Sequence, residues 1–280
     1  MPELPEVETV RAGLARHLLG RTVTAVELRR NDLRWPIPKE RVRELTGLRC
    51  ESVQRRSKYL QIAFAGARQR VALIHLGMTG RLWVDVLPRA SSPGPDWLKH
   101  EHWRFAFGNR LLRFSDARRF GMLDVVAPES LAKHQLVTSL GPEPLSPEFD
   151  GEAVYARTRK RRASLKSYLM DSRNVVGVGN IYASESCFRA GLRPGKAAGR
   201  LTRAQCFALV AAVRAVLEEA IAQGGTTLRD FVSAEQESGY FQRSLAVYGR
   251  EGEPCRRCGT PIRRVVDGAR STYYCAQCQR

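Results

Sequence analysis

The spacing of apolar positions changes twice along this chain. Over residues 6–19, Val7, Val10, Leu14 and Leu18 recur three or four residues apart and Gly20 follows, which predicts an amphipathic helix with a stop signal. From residue 22 to 126 the period falls to about two, in short runs at 22–28, 59–64, 71–76, 81–86, 103–107, 111–114 and 122–126. Turn residues separate the runs, among them Gly66, Gly77, Gly80, Pro93-Gly94-Pro95 and Gly108-Asn109. Alternation punctuated in this way predicts an antiparallel sandwich or barrel. Residues 88–96 read as a flexible loop.

Helical spacing returns in the second half. Pro142, Pro144 and Pro147 mark a linker over 141–151, and helices are predicted at 163–170 and at 181–190, the latter ending at Gly191. The clearest spans 203–223: Thr202 and Gln205 fit a capping box, and Gly224-Gly225 end it. Its apolar stripe is read as Phe207, Val210, Val213, Leu217 and Ile221, packed into the core. Residues 230–245 read as a loop. No internal repeat or low-complexity tract is evident. The fold class predicted is α+β: an N-terminal helix and antiparallel β-sandwich, then a helical part, then a small cysteine-rich end.

Charge narrows the choice of partner. The 280-residue chain has a formal net charge of +18, and only seven of its 46 basic residues are Lys. Arg forks match phosphate oxygens, so a polyanion, first of all a nucleic acid, is the expected partner. With 43% hydrophobic residues the chain can bury a sizeable core. It has no apolar run long enough to span a bilayer, so no membrane association is expected. Glu3, Glu6 and Glu8 at the start argue against a signal peptide, and Cys50, Cys187 and Cys206 read as reduced thiols, which together predict a cytoplasmic protein.

Two features carry chemistry. Cys255, Cys258, Cys275 and Cys278 form two Cys-x-x-Cys pairs enclosing sixteen residues, the spacing of a closed four-thiolate structural zinc site; a redox dithiol pair is the rival reading. Strand-like runs at 262–266 and 271–274 flank Asp267-Gly268, which reads as a hairpin turn, and the hairpin carries Arg256, Arg257, Arg263, Arg264 and Arg270. At the other end stands Met1-Pro2-Glu3. Removal of Met1 would leave Pro2 with a free secondary amine, about a tenth of it unprotonated at neutral pH, able to attack an electrophilic carbon and form an iminium. Glu3 beside it offers a carboxyl for proton transfer.

Six stretches together make a resemblance specific. They are Met1-Pro-Glu-Leu-Pro-Glu-Val-Glu8, His75-Leu-Gly-Met-Thr-Gly80, Asp116-Ala-Arg-Arg-Phe-Gly121, Gly177-Val-Gly-Asn-Ile-Tyr-Ala-Ser-Glu185, Gly224-Gly-Thr-Thr-Leu-Arg-Asp-Phe231 and the four-cysteine hairpin. In this order, from residue 2 to 278, the chain resembles the bacterial formamidopyrimidine-DNA glycosylases, which remove 8-oxoguanine and ring-opened purines. The resemblance implies a catalytic β-sandwich domain over 1–133, a linker over 134–150 and a helix-two-turn-helix DNA-binding domain over 151–235. A lesion-capping loop and zinc hairpin would fill 236–280, with DNA between two lobes. It also implies one structural Zn2+, a monomer, and a nucleoid-associated enzyme acting on double-stranded DNA that holds damaged purines or abasic sites.

The residue roles follow from the same resemblance. Pro2 is the nucleophile at C1′ and Glu3 the acid/base at the sugar. Lys58 serves β-elimination, and Arg270 serves δ-elimination or phosphate binding. Met78 and Phe120 are wedges and Arg118 bonds the orphaned base, while His100, Arg161 and Asn180 contact DNA. The loop at 233–244 would cover the extruded base, although Glu235, Gln236 and Glu237 follow no fixed family pattern. Two alternatives stay open: an endonuclease VIII-type enzyme for oxidised pyrimidines, and a non-catalytic nucleic-acid-binding zinc protein. Leu4 after Glu3 and the intact Met78 loop favour the purine type over the first. The second gives Pro2 no role.

Overall fold

The computed structural model describes residues 2–88, 96–226 and 241–280, with backbone alone at 242 and 243. The chain divides into two compact units, Met1–Thr138 with Gly224–Tyr240, and Ser139–Gln223 with Phe241–Arg280.

The first unit opens on helix α1 (Leu4–Leu18). It starts two residues before the periodic stretch because Leu4 and Pro5 occupy its first turn, where a proline's missing N–H breaks no helical bond. There follow β1 (Ala25–Leu28), α2 (Lys39–Arg43), β2 (Arg49–Arg56), β3 (Tyr59–Ala65), β4 (Arg70–His75), β5 (Arg81–Val86), β6 (Glu101–Phe107), β7 (Arg110–Ser115) and β8 (Met122–Val126), then the short helices α3 (Pro128–Leu131) and α4 (Gln135–Thr138). The strands form two four-stranded sheets, in the orders β1-β6-β7-β5 and β2-β3-β4-β8. Every pairing within them is antiparallel. Ile62, Phe64 and Ile74 of one sheet, Phe105, Leu112 and Phe114 of the other, and Val7, Val10 and Leu14 of α1 share one core cluster. This is the predicted sandwich with its N-terminal helix.

Strand β2 was not predicted. Its only fully buried side chains, Cys50 and Val53, lie three residues apart because a bulge between Cys50 and Ser52 interrupts the alternation. Strand β6 is buried along its whole length despite Glu101, His102 and Arg104. Both oxygens of the Glu101 carboxylate accept from one nitrogen, Arg113 Nη1, at 2.8 and 2.9 Å. Arg104 pairs with Glu27 at 2.8 Å and lies over the Trp97 ring. Buried charge of this kind survives because it is paired. The predicted loop at 88–96 falls almost wholly outside the described residues.

The second unit contains α5 (Gly151–Thr158), α6 (Leu165–Met170), α7 (Asn180–Arg189), α8 (Arg203–Ala222) and the hairpin β9 (Arg263–Asp267) and β10 (Arg270–Tyr274). Both halves of the capping box predicted for α8 are present. Its buried face is not the predicted stripe. Cys206, Leu209, Val210, Ala212, Val213, Val216, Leu217 and Ala220 are buried, whereas Phe207 is 48% exposed and Ile221 only half-buried. The true stripe includes the small residues Cys206, Ala212 and Ala220, which a pattern of large apolar residues passes over. Phe207 instead covers Gly151, where an added Cβ would stand 2.5 Å from the ring. Helix α5, capped by Asp150 accepting from the Ala153 amide at 2.7 Å, begins at the end of the stretch read as linker.

The hairpin turn lies one residue later than predicted. Asp267 pairs with Arg270, so Gly268 and Ala269 form the two-residue loop. Both have positive φ, 57° and 60°, as a turn matching the strand twist demands.

Candidate active site and nucleic-acid interface

In the first unit the site begins at the chain's start. Pro2 is buried and Glu3 is 3% exposed, at the N-cap of α1. One carboxylate holds this end. Glu6, buried in the first turn, accepts from the Glu3 amide at 2.8 Å through Oε2. Through Oε1 it accepts from the amide of Thr226 at 2.8 Å and its hydroxyl at 2.9 Å. Gly225 allows the approach: its φ is +80°, and a Cβ there would meet Glu6 Oε1 at 2.9 Å. The sequence reading assigned Glu6 no role. The available signal was an acid three residues after the N-cap, the capping-box position.

Lys58 lies in the two-residue turn joining β2 to β3, after Ser57 with φ 58°. Arg55 ties this turn to α1, bonding Glu8 at 2.9 Å and the Ser57 carbonyl at 2.9 Å. At the end of β4, His75 packs 5.0 Å from the Tyr59 ring, and its Nδ1 accepts from the Gly77 amide at 3.0 Å. Burial lowers the His75 pKa from 6.5 to about 4, and the nearby positive charges of Lys58 and Arg34 push the same way. The imidazole is therefore neutral at pH 7, with its proton on Nε2. Lys58 and Arg34 thus place positive charge near this imidazole.

Met78 (37% exposed) and Phe120 (42% exposed) project from neighbouring loops, and the Arg118 guanidinium stacks over Phe120 at 4.7 Å. Gly77 packs so closely under the second loop that a Cβ would stand 2.5 Å from the Gly121 nitrogen. His100 is exposed, with φ 61°. His102 is buried and bonds the Asp116 carbonyl through Nε2 at 2.7 Å.

In the second unit Asn180 is the first residue of α7, after the turn through Gly177 and Gly179. Its Nδ2 donates to the Tyr248 hydroxyl at 3.4 Å, and its buried Oδ1 has no partner among the described residues. Glu185, one helix face further on, accepts from the amides of Ala246, Val247 and Tyr248 at 2.8–3.0 Å and so fixes Tyr248 beside Asn180. Neither Glu185 nor Tyr248 was singled out from the sequence, although Glu185 closes one of the motifs. Arg161 is exposed. Arg270 is exposed at the start of β10, and the hairpin tip is fastened at two points. Ser164 Oγ donates to Asp267 at 2.6 Å, and the buried Lys166 donates to the Ser271 carbonyl at 2.9 Å and the Thr272 hydroxyl at 2.6 Å. Residues 233–240, with Glu235, Gln236 and Glu237, lie outside the described residues.

The four Sγ atoms of Cys255, Cys258, Cys275 and Cys278 lie within 4.8 Å of one another, with pairs at 3.9 Å (255–278) and 3.5 Å (258–275). Tetrahedral zinc with Zn–S of about 2.3 Å places its sulfurs about 3.8 Å apart, so the cluster fits one closed structural zinc. Disulfides are not formed. Cys255 and Cys275 also pack with Phe188, Val247 and Ile262 in one apolar cluster, which couples the metal to the Tyr248 loop.

The fold and the metal cluster define a two-unit protein, one unit built on an antiparallel sandwich and the other carrying a four-cysteine hairpin. Residues 1–123 match the model of the formamidopyrimidine-DNA glycosylase N-terminal domain and residues 140–232 that of the H2TH domain. Residues 252–280 match the zinc finger found in FPG and IleRS. The formamidopyrimidine-DNA glycosylases of Thioalkalivibrio sulfidiphilus and Thiobacillus denitrificans are 51% and 49% identical, over the full length of both chains in each case. A Lactococcus lactis FPG mutant, solved with DNA containing Fapy-dG, superposes with a TM-score of 0.89 at 31% identity over both whole chains. The MutM (FPG) protein of Thermus thermophilus gives 0.86 at 38% identity, covering 99% of this chain and 98% of that one. The chain belongs to the formamidopyrimidine-DNA glycosylase family.

Two outcomes test this geometry. A histidine whose pKa falls on folding stays neutral in the native state while the unfolded chain binds a proton, so stability is full above pH 6.5 and declines as pH falls toward about 4. Urea midpoints should therefore drop more between pH 7 and pH 5 in the wild type than in H75N, whose Oδ1 can still accept from Gly77; equal drops would contradict the assignment. Metal chelation should open the hairpin to trypsin at Arg263, Arg264 and Arg270. Unchanged protection in protein verified as zinc-free would show that the metal does not hold it.

Proposed function

We propose that this chain excises oxidised purines from double-stranded DNA and then cleaves the strand at the resulting abasic site, using Pro2 as the nucleophile. The observation that carries the reading is the fixed, buried start of α1, where Glu6 holds Glu3 through its amide and so sets the position of Pro2. The family membership of the whole chain supports it, and so does the DNA containing Fapy-dG or an abasic site bound to the Lactococcus lactis relatives.

The base must leave the stack before it can be attacked, at a cost of a few kcal/mol. Met78 and Phe120 enter the gap as apolar wedges, and Arg118 bonds the partner base left behind. The Pro2 nitrogen then donates its lone pair to C1′, and the damaged base departs with the electrons of the glycosidic bond and takes up a proton. Glu3 moves a proton at the ring oxygen, so the sugar opens to an iminium. A secondary amine gives an iminium that stays cationic at every pH, which acidifies the C2′ proton. Loss of that proton, assigned to Lys58, expels the 3′ phosphate, and a second elimination assisted by Arg270 expels the 5′ phosphate.

Asn180, Arg161 and His100 bind the DNA backbone in this reading. Asn180 does so at a helix N-terminus, where amides and dipole favour phosphate, with the Tyr248 hydroxyl as a second donor beside it. The zinc hairpin carries Arg270 and takes no part in the chemistry. The domain roles follow the sequence reading: catalysis in 1–133, a linker at 134–150, DNA binding in 151–235, and lesion cover with the zinc hairpin in 236–280. Among the described residues no helix is long and apolar enough to cross a membrane. A cytoplasmic, nucleoid-associated monomer completes the reading.

Borohydride should trap the protein on duplexes holding 8-oxoguanine opposite cytosine, and incision there should exceed incision at thymine glycol. Faster cutting of thymine glycol would move the enzyme to the oxidised-pyrimidine class. Absence of any adduct, where a control glycosylase is trapped, would leave only a DNA-binding role.

A further inference from the structure

The two loops that carry Met78, Arg118 and Phe120 are built on one buried side chain. Asp116 has no exposed surface, and among the described residues no salt bridge reaches it. Its Oδ1 accepts from the Thr79 hydroxyl at 2.5 Å and the Arg118 amide at 3.2 Å, and its Oδ2 accepts from the Gly121 amide at 2.7 Å. Thr79 Oγ1 in turn accepts from the Arg118 amide at 3.3 Å, so the hydroxyl of one loop sits between the carboxylate and the backbone of the other. The Asp116 main chain is held as well, its amide donating to the His100 carbonyl at 2.9 Å and its carbonyl accepting from His102.

We propose that Asp116 is the positioning residue of the wedge, with Thr79 as its link to the Met78 loop. This rests on the reading that Met78, Arg118 and Phe120 fill the space left by the extruded base. The three tips are exposed, yet Arg118 bonds this carboxylate through its own amide, and Met78 and Phe120 each adjoin a residue bonded to it. A wedge separates stacked bases only if its base does not yield. Glycine packing stiffens the same place: a Cβ on Gly77 would meet the Phe120 carbonyl carbon at 2.5 Å, and one on Gly121 the Phe114 ring at 2.5 Å. A carboxylate suits the position because all three partners are donors. An asparagine would turn an N–H2 toward at least one of them and leave two buried donors facing each other.

Asp116 touches neither DNA nor the reacting atoms in this account, so its effect should depend on whether a stack must be opened. D116N should slow 8-oxoguanine excision from duplex DNA at least about tenfold, in line with the loss of a buried charge-assisted bond. T79V should slow it several-fold, and T79S should restore it. A 2-aminopurine beside the lesion should report correspondingly less unstacking. Borohydride trapping on a single-stranded abasic oligonucleotide, which has no partner base or stack to replace, should stay within about twofold of wild type in all three variants. Duplex excision by D116N at the wild-type rate would overturn the proposal. So would equal losses on duplex and single strand, which would place the effect on folding or chemistry. Failure of the wild-type protein to form any trapped adduct would remove the glycosylase reading first, and is distinguished by that control.

Discussion

The bonds from Glu6 to Glu3 and Thr226 are the constraint on which the rest of the site depends. A chain terminus is normally the least ordered part of a domain. Ordering a residue costs about 1–2 kcal/mol in backbone entropy. A hydrogen bond to a buried carboxylate contributes about 1.5–3 kcal/mol, enough to offset that cost at Glu3, while the two bonds from Thr226 hold the carboxylate itself. Helix α1 then anchors that terminus in the sandwich core through Val7, Val10 and Leu14. The helix is thus more than a scaffold, because its first turn sets where an amine can stand.

The two units solve separate problems by similar means. In each, a side chain at or near the surface stands on a buried polar group that bonds backbone or hydroxyl groups. Asp116 does this under Arg118 and Phe120, Glu185 under Tyr248, and Lys166 behind Arg270. Arginine surface charge supplies attraction for a polyanion, and such attraction is diffuse and weakened by salt. The buried anchors supply direction, which charge alone does not. The zinc cluster extends the same logic to a hairpin whose strands have little core of their own, with β9 bearing four exposed positions of five.

Much of this was legible in the sequence where one signal dominated. Strands β3 and β5 follow alternation, α8 follows its capping box, and the zinc ligands follow their spacing. The reading failed where signals mixed. Strand β2 is charged and bulged, so its period is broken at Cys50 and Ser52. The α8 stripe was drawn through large residues, and Phe207 was counted inward although its ring lies over Gly151 near the surface. The hairpin turn was placed by the Asp-Gly pair, whereas pairing of Asp267 with Arg270 moves the loop to Gly268-Ala269. Among functional residues, those whose own chemistry suggests a role stood out, such as Pro2, Glu3 and the four cysteines, while Glu6, Glu185, Lys166 and Asp116 did not. Their work depends on partners up to 220 residues away, as between Glu6 and Thr226, and no local pattern carries that information.

The central claim is that the nitrogen of Pro2 becomes bonded to the sugar. Mapping the borohydride-reduced adduct by peptide mass spectrometry tests it most directly. The account predicts the sugar fragment on a peptide whose first residue is Pro2. An adduct on Lys58 or any other lysine, or cross-linked protein that still carries Met1, would contradict it.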